Sequence, residues 1–172
     1  IFSFSILPIS TLAASLVTFT SQNTGAGKPE RVRAGIKSAT ILGFVWSLVA
    51  FFLLYFCGAA LVRMITDSDT FVIGTAVKYL RINVPFYAFL CILCFFRSTL
   101  QGLGQKIIPV IASIIELSGK AIIVFVLVPR MGYLAVCICE PILWILSGLL
   151  VSVPMYRFLK ITHSPDSAQM CQ

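Results

Sequence analysis

Residues 40–62 read TILGFVWSLVAFFLLYFCGAALV, an unbroken apolar run without Asp, Glu, Lys, Arg or His. A helix that crosses the hydrocarbon core of a bilayer, about 30 Å thick, needs about 20 such residues. A barrel strand would instead alternate polar and apolar residues over about ten positions. A helix closes its own backbone hydrogen bonds, so a continuously apolar run of this length can sit in lipid. Four further segments approach the same pattern. They are residues 2–20, rich in small and hydroxyl side chains, then 82–103, 107–129 and 132–156. The fold class expected is all-α, a polytopic transmembrane bundle of about five spanning helices.

Composition agrees with that pattern. Of 172 residues 59% are apolar and only 11% charged, and the mean hydropathy is +1.00. A soluble domain carries about 25% charged residues, so a soluble globule and a disordered chain are both excluded. The first residue is Ile1, with no charged region ahead of the apolar run. That start suggests the later part of a longer chain rather than a signal peptide. Of the six cysteines, Cys57, Cys91, Cys94, Cys137 and Cys139 lie inside apolar runs and read as small buried hydrophobes.

The joins orient the segments. Residues 21–38, SQNTGAGKPERVRAGIKS, read as a basic loop in which Gly25 and Gly27 permit a reversal and Pro29 can open a helix. Residues 63–81 read as a longer join in which Asp67 or Asp69 can cap a short helix. Residues 104–106 and 129–132 read as tight turns, and residues 161–172 as a polar cytoplasmic tail. If the 21–38 loop is cytoplasmic, that side also receives Lys106, Arg157 and Lys160 beside Lys28, Arg31, Arg33 and Lys37. Arg63, Lys78, Arg81 and Arg130 fall on the other side. The bias supports a cytoplasmic C-terminus. The net charge of +7 is therefore a topology signal rather than a nucleic-acid footprint.

Four charges fall at membrane depth: Arg97, Glu116, Lys120 and Glu140. An ionisable group there costs several kcal/mol unless it is paired or hydrated, and it marks a functional hypothesis. Glu116 and Lys120 stand four residues apart, acid first, on one helix face. They can line a hydrated path or form an ion pair within their own helix. Glu140 precedes Pro141, where it can face a cavity or accept from backbone groups that the proline frees. Arg97 sits near a helix end and can snorkel. Gly25-Ala26-Gly27-Lys28 lacks the spacing of a phosphate-binding loop. Cys91-x-x-Cys94 lacks a second ligand pair, so no metal or other cofactor is expected.

The loop residues Gln22, Asn23, Gly25, Ala26, Gly27 and Arg31 resemble the Q-N-x-G-A-G-x-x-x-R run of the multidrug and toxic compound extrusion family. Tyr79-Leu80-Arg81-Ile82, Pro85-Phe86-Tyr87, Arg97 with Gln101-Gly102-Leu103-Gly104-Gln105, and Glu140-Pro141-Ile142-Leu143-Trp144 are similar to later stretches of its C-terminal lobe. The resemblance covers about residues 1–160. It implies helices eight to twelve of a twelve-helix, two-lobe transporter, without the first lobe helix and the N-terminal lobe. It also implies export of drugs or other organic cations across a bacterial-type cytoplasmic membrane, in exchange for sodium or protons.

The partners implied are the lipid bilayer, the other lobe and the small cations themselves. Phe86, Tyr87 and Phe89 become candidates for the cavity lining. Some members carry an acidic coupling residue in the tenth helix, whereas residues 70–115 here contain no Asp or Glu. Two other readings stay open: a flippase for lipid-linked sugars with a related two-lobe plan, and a non-transporting membrane remnant. No Ser–His–acid set or HExxH run points to an enzyme.

Overall fold

The computed structural model describes residues 2–65 and 70–161. Those residues are helical apart from short turns. The order is α1 (Phe2–Gly25), α2 (Pro29–Ile65), α3 (Thr70–Asn83), a single 3-10 turn (Val84–Phe86), α4 (Tyr87–Gly102), α5 (Ile107–Ile122), a π-helical stretch (Ile123–Leu127), α6 (Val128–Met131) and α7 (Tyr133–Ile161). Five helices are long and apolar enough to cross a membrane, with α3–α4 and α5–α6 each counting as one span.

The expected number of spans and their order hold, but their ends do not. Residues 21–38 are helix on both sides of a three-residue turn, Ala26-Gly27-Lys28. The short helix expected within the 63–81 join is present from Thr70, but it runs into the third span instead of standing apart from it. The last helix runs on to Ile161. The reason is that hydropathy measures the thickness of hydrocarbon, while a helix continues into water as long as its backbone bonds close. Asp67, Asp69 and the tail beyond Ile161, with His163, lie outside the described residues.

The family-like loop is a helix stop. Gly27 adopts φ +65°, a left-handed backbone that glycine takes without a Cβ penalty. The Lys28 N–H then donates to the Asn23 carbonyl at 2.9 Å, and the Gly27 N–H to that of Thr24 at 3.0 Å. These bonds satisfy carbonyls that the end of α1 would leave open. Asn23 Nδ2 donates back to the Phe19 carbonyl at 2.8 Å. Pro29 opens α2 at once, where its missing N–H costs nothing. Asn23, Thr24 and Gly27 thus define the sharp reversal, while Gly25, expected to share in it, is the last residue of α1 without a left-handed backbone; Arg31 stands exposed beyond the turn.

Helix α2 shows how the bundle packs. Its buried positions are Val32, Ile36, Ala39, Gly43, Ser47, Ala50, Leu54, Gly58 and Val62, spaced three or four apart. This single stripe is mostly small residues, which let helix backbones approach closely. The remaining faces expose Leu42, Phe44, Leu48, Phe52 and Phe56, as a lipid-facing surface does. Helix α4 is the centre. It packs against α1, α2 and α7, and its Tyr87, Phe95 and Leu100 are completely buried.

Polar groups cross-link the bundle. Trp46 Nε1 donates to the Ser5 carbonyl at 2.9 Å, joining α2 to α1. The Cys91 thiol lies 3.1 Å from Ser47 Oγ, joining α4 to α2. Asn83 Nδ2 donates to the Cys137 carbonyl at 3.3 Å, joining α3 to α7. Each such bond in a bilayer contributes about 0.6–1.7 kcal/mol.

Two prolines explain the irregular turns. Pro85 lacks an N–H and crowds the preceding turn, which tightens to 3-10 geometry. Ahead of Pro129 the helix widens instead, and the Val128 N–H reaches the Ile123 carbonyl five residues back. Helix α5 lies at the edge of the bundle against α7 and, more lightly, α4.

Candidate functional site

Ser113, Glu116 and Lys120 recur at three- and four-residue intervals along α5 and therefore share a face. That face looks toward α4 and α7. Arg97 of α4 donates from Nη2 to Ser113 Oγ, and its Nη1 lies 3.5 Å from Glu116 Oε1. Ser113 Oγ in turn donates to the Pro109 carbonyl at 3.0 Å. One turn further along α5, Lys120 Nζ meets Glu140 Oε1 of α7 at 2.9 Å.

The four membrane-depth charges therefore come together, but not as the spacing suggested. Glu116 and Lys120 do not pair within their helix. Each takes a partner from a neighbouring helix. Glu140 accepts from Lys120 rather than from backbone groups freed by Pro141, and Arg97 turns onto α5 rather than snorkelling. The physical reason is economy of neutralisation: α4 and α7 offer opposite charges at matching depth. A pair between helices also ties α5 to the bundle, which a pair along one helix cannot do.

Depth and exposure define the environment. Glu116 and Lys120 lie about 14 and 20 Å along α5 from Ile107. Their side chains are 24% and 46% exposed, and those of Arg97 and Glu140 29% and 24%. The belt runs basic, acidic, basic, acidic across α4, α5 and α7, and it sums to zero. Close by, α5 and α7 nearly touch: a Cβ on Gly119 would come within 2.4 Å of a Leu143 methyl.

The aromatic candidates divide. Tyr87 is fully buried, edge-on to Trp144 with ring centres 6.3 Å apart and to Phe2 at 6.0 Å. Phe86 is half-buried and Phe89 exposed, their rings 6.3 Å apart. Ser113 was missed by sequence reasoning. Its signal is its place three residues before Glu116, one turn along the same face. Among the described residues no group of three His, Cys, Asp or Glu side chains converges as a metal site.

The MatE family profile matches residues 1–127, from the start of the chain to the end of the π-helical stretch. The chain belongs to the MatE family. MatE proteins are membrane transporters rather than enzymes, and the family is one of multidrug and cation antiporters. The chain is thus a multi-pass membrane protein, with the lipid bilayer and small substrates as its surroundings. The MatE match contains Arg97, Ser113, Glu116 and Lys120 but ends before Glu140. No curated protein and no solved structure matches the chain.

Proposed function

We propose that the chain is the C-terminal lobe of an antiporter that exports drugs or other organic cations in exchange for sodium or protons. The observation that carries this reading is the charge belt on α4, α5 and α7. A lysine side chain 46% exposed at membrane depth cannot face hydrocarbon without a cost of several kcal/mol. The belt therefore faces a hydrated path or the other lobe of the transporter.

Its chemistry suits exchange. Glu116 and Glu140 each hold an internal cation, Arg97 and Lys120. An incoming organic cation or coupling ion competes with that internal cation for the carboxylate. A change in helix packing that favours one partner over the other shifts the equilibrium between inward- and outward-facing states. Phe89 and Phe86 supply apolar and π surface for lipophilic cations, with Tyr87 behind them in the core. The belt's zero net charge argues against a flippase, which needs a strongly cationic cavity for pyrophosphate.

In this reading the Ala26–Lys28 turn and the end of α7 face the cytoplasm of a bacterial-type cell. The test is cation efflux by the longest form the gene encodes, under an imposed sodium or proton gradient. Glu116→Gln and Glu140→Gln are expected to lower efflux at least tenfold. Wild-type efflux by both variants would remove the belt from the mechanism. The gradient that drives export identifies the coupling ion.

A further inference from the structure

On the side of the bundle opposite the Ala26–Lys28 turn, α2 and α3 form a hairpin. Ala59 and Arg63 stand one turn apart on α2. Gly74, Lys78 and Arg81 stand at four- and three-residue intervals on α3, so each set shares a face. The faces meet around a hollow of about 520 Å³. Ala59 and Gly74 have too little side chain to fill it, and the three cations rim it. A second hollow, of about 560 Å³, shares Thr70, Gly74 and Lys78 and runs on past Phe71 and Tyr133. A basic pocket therefore opens into an apolar annex.

Arg63, Lys78 and Arg81 are all exposed. Among the described residues they have no carboxylate partner, since both ion pairs lie in the charge belt. Arg81 rests its guanidinium over the Tyr55 ring, 5.5 Å from the centroid, which holds it at the rim. Depth also fits. The span from Thr70 to Gly102 has 33 residues, about 50 Å of helix, against a hydrocarbon core of about 30 Å. Shared between the two ends, the excess places the first two turns of α3 at headgroup level, within reach of the long Lys78 and Arg81 side chains just below. Isolated interface anchors would point outward singly. Here three of the four cations on this side converge on one cavity.

We propose that this hollow binds the phosphate of an anionic phospholipid, with the start of an acyl chain in the annex. The phosphate oxygens accept from the two guanidiniums and the ammonium, a charge-assisted set. The assignment does not depend on the transport reading, and its test reads binding alone.

The longest gene product is purified in zwitterionic mixed micelles, and retention of phosphatidylglycerol is compared with that of phosphatidylcholine by native mass spectrometry. The wild type is expected to prefer phosphatidylglycerol. Each cation near such a headgroup contributes about a fivefold preference, so Arg63→Gln with Lys78→Gln should lower it about 30-fold. Arg63→Lys with Lys78→Arg keeps the charge and should keep the preference. Arg31→Gln with Arg33→Gln, on the other side, should leave it unchanged. Inorganic phosphate is expected to compete with the lipid. Binding of inorganic phosphate without any preference between the lipids would overturn the lipid assignment in favour of a soluble anion. An undiminished preference in the Arg63/Lys78 double variant would overturn the site.

Discussion

Replacing Lys120 with Met should destabilise the bundle by about 2 kcal/mol, and replacing Glu140 with Gln by a similar amount, but the double replacement should cost about 2.5 kcal/mol rather than their sum of about 4. Exposed ion pairs contribute about 0.2–1 kcal/mol, and breaking a fully buried pair costs about 3–5 kcal/mol. The 2.9 Å pair, with partners 46% and 24% exposed, falls between these limits. Interhelical polar contacts in bilayers average about 0.6 kcal/mol and reach about 1.7. A coupling energy of about 1.5 kcal/mol follows, a little over tenfold in the unfolding equilibrium. Each single variant loses more than this because it leaves an unpaired charge beside the Gly119–Leu143 crossing. The assay is reversible unfolding in mixed micelles by titration with a denaturing detergent, run on the wild type, both singles and the double. Exchanging the charges, Lys120→Glu with Glu140→Lys, should recover most of the loss. Single-variant costs that add to within about 0.5 kcal/mol would show that the two side chains do not support each other, and would refute the argument.

Three further outcomes follow from the packing. Gly27→Ala should cost about 1–2 kcal/mol in the same unfolding assay, because Gly27 sits at φ +65°, whereas Gly25→Ala meets open space and should cost little. Gly102→Ala should destabilise by about 1–3 kcal/mol, since its Cβ would come within 2.7 Å of the Val17 backbone carbonyl; Gly119→Ala meets only a Leu143 methyl that can swing aside, and should be nearly neutral by thermal denaturation. Trp46→Phe removes the N–H donated to the Ser5 carbonyl and should lower stability by about 1 kcal/mol, with faster proteolysis at the start of α1.

How much of this was legible in the sequence depends on what each signal measures. The number of spans was readable because a bilayer demands length and apolarity, and residues 40–62 supply both without interruption. Helix ends were not, because Arg31, Arg33 and Lys37 interrupt hydropathy but not the backbone hydrogen bonds of α2. The four charges of the belt were readable as exceptions, since each is costly at its depth. Their pairing was not. Spacing shows which side chains share a face of one helix, so Glu116 and Lys120 were natural partners. It carries nothing about how far α5 is rotated toward its neighbours. That rotation is set by how α5 packs on α7 and α4, and it decides whether Lys120 faces Glu116 or Glu140. The same limit hid the basic hollow. Arg63 and Lys78 lie on different helices, and only the packing of α3 beside α2, with the small Ala59 and Gly74 leaving a hollow between them, turns three ordinary interface cations into one rim. In a membrane bundle the costly residues can thus be found by position along the chain. What they do depends on how the helices pack, which decides which of them meet.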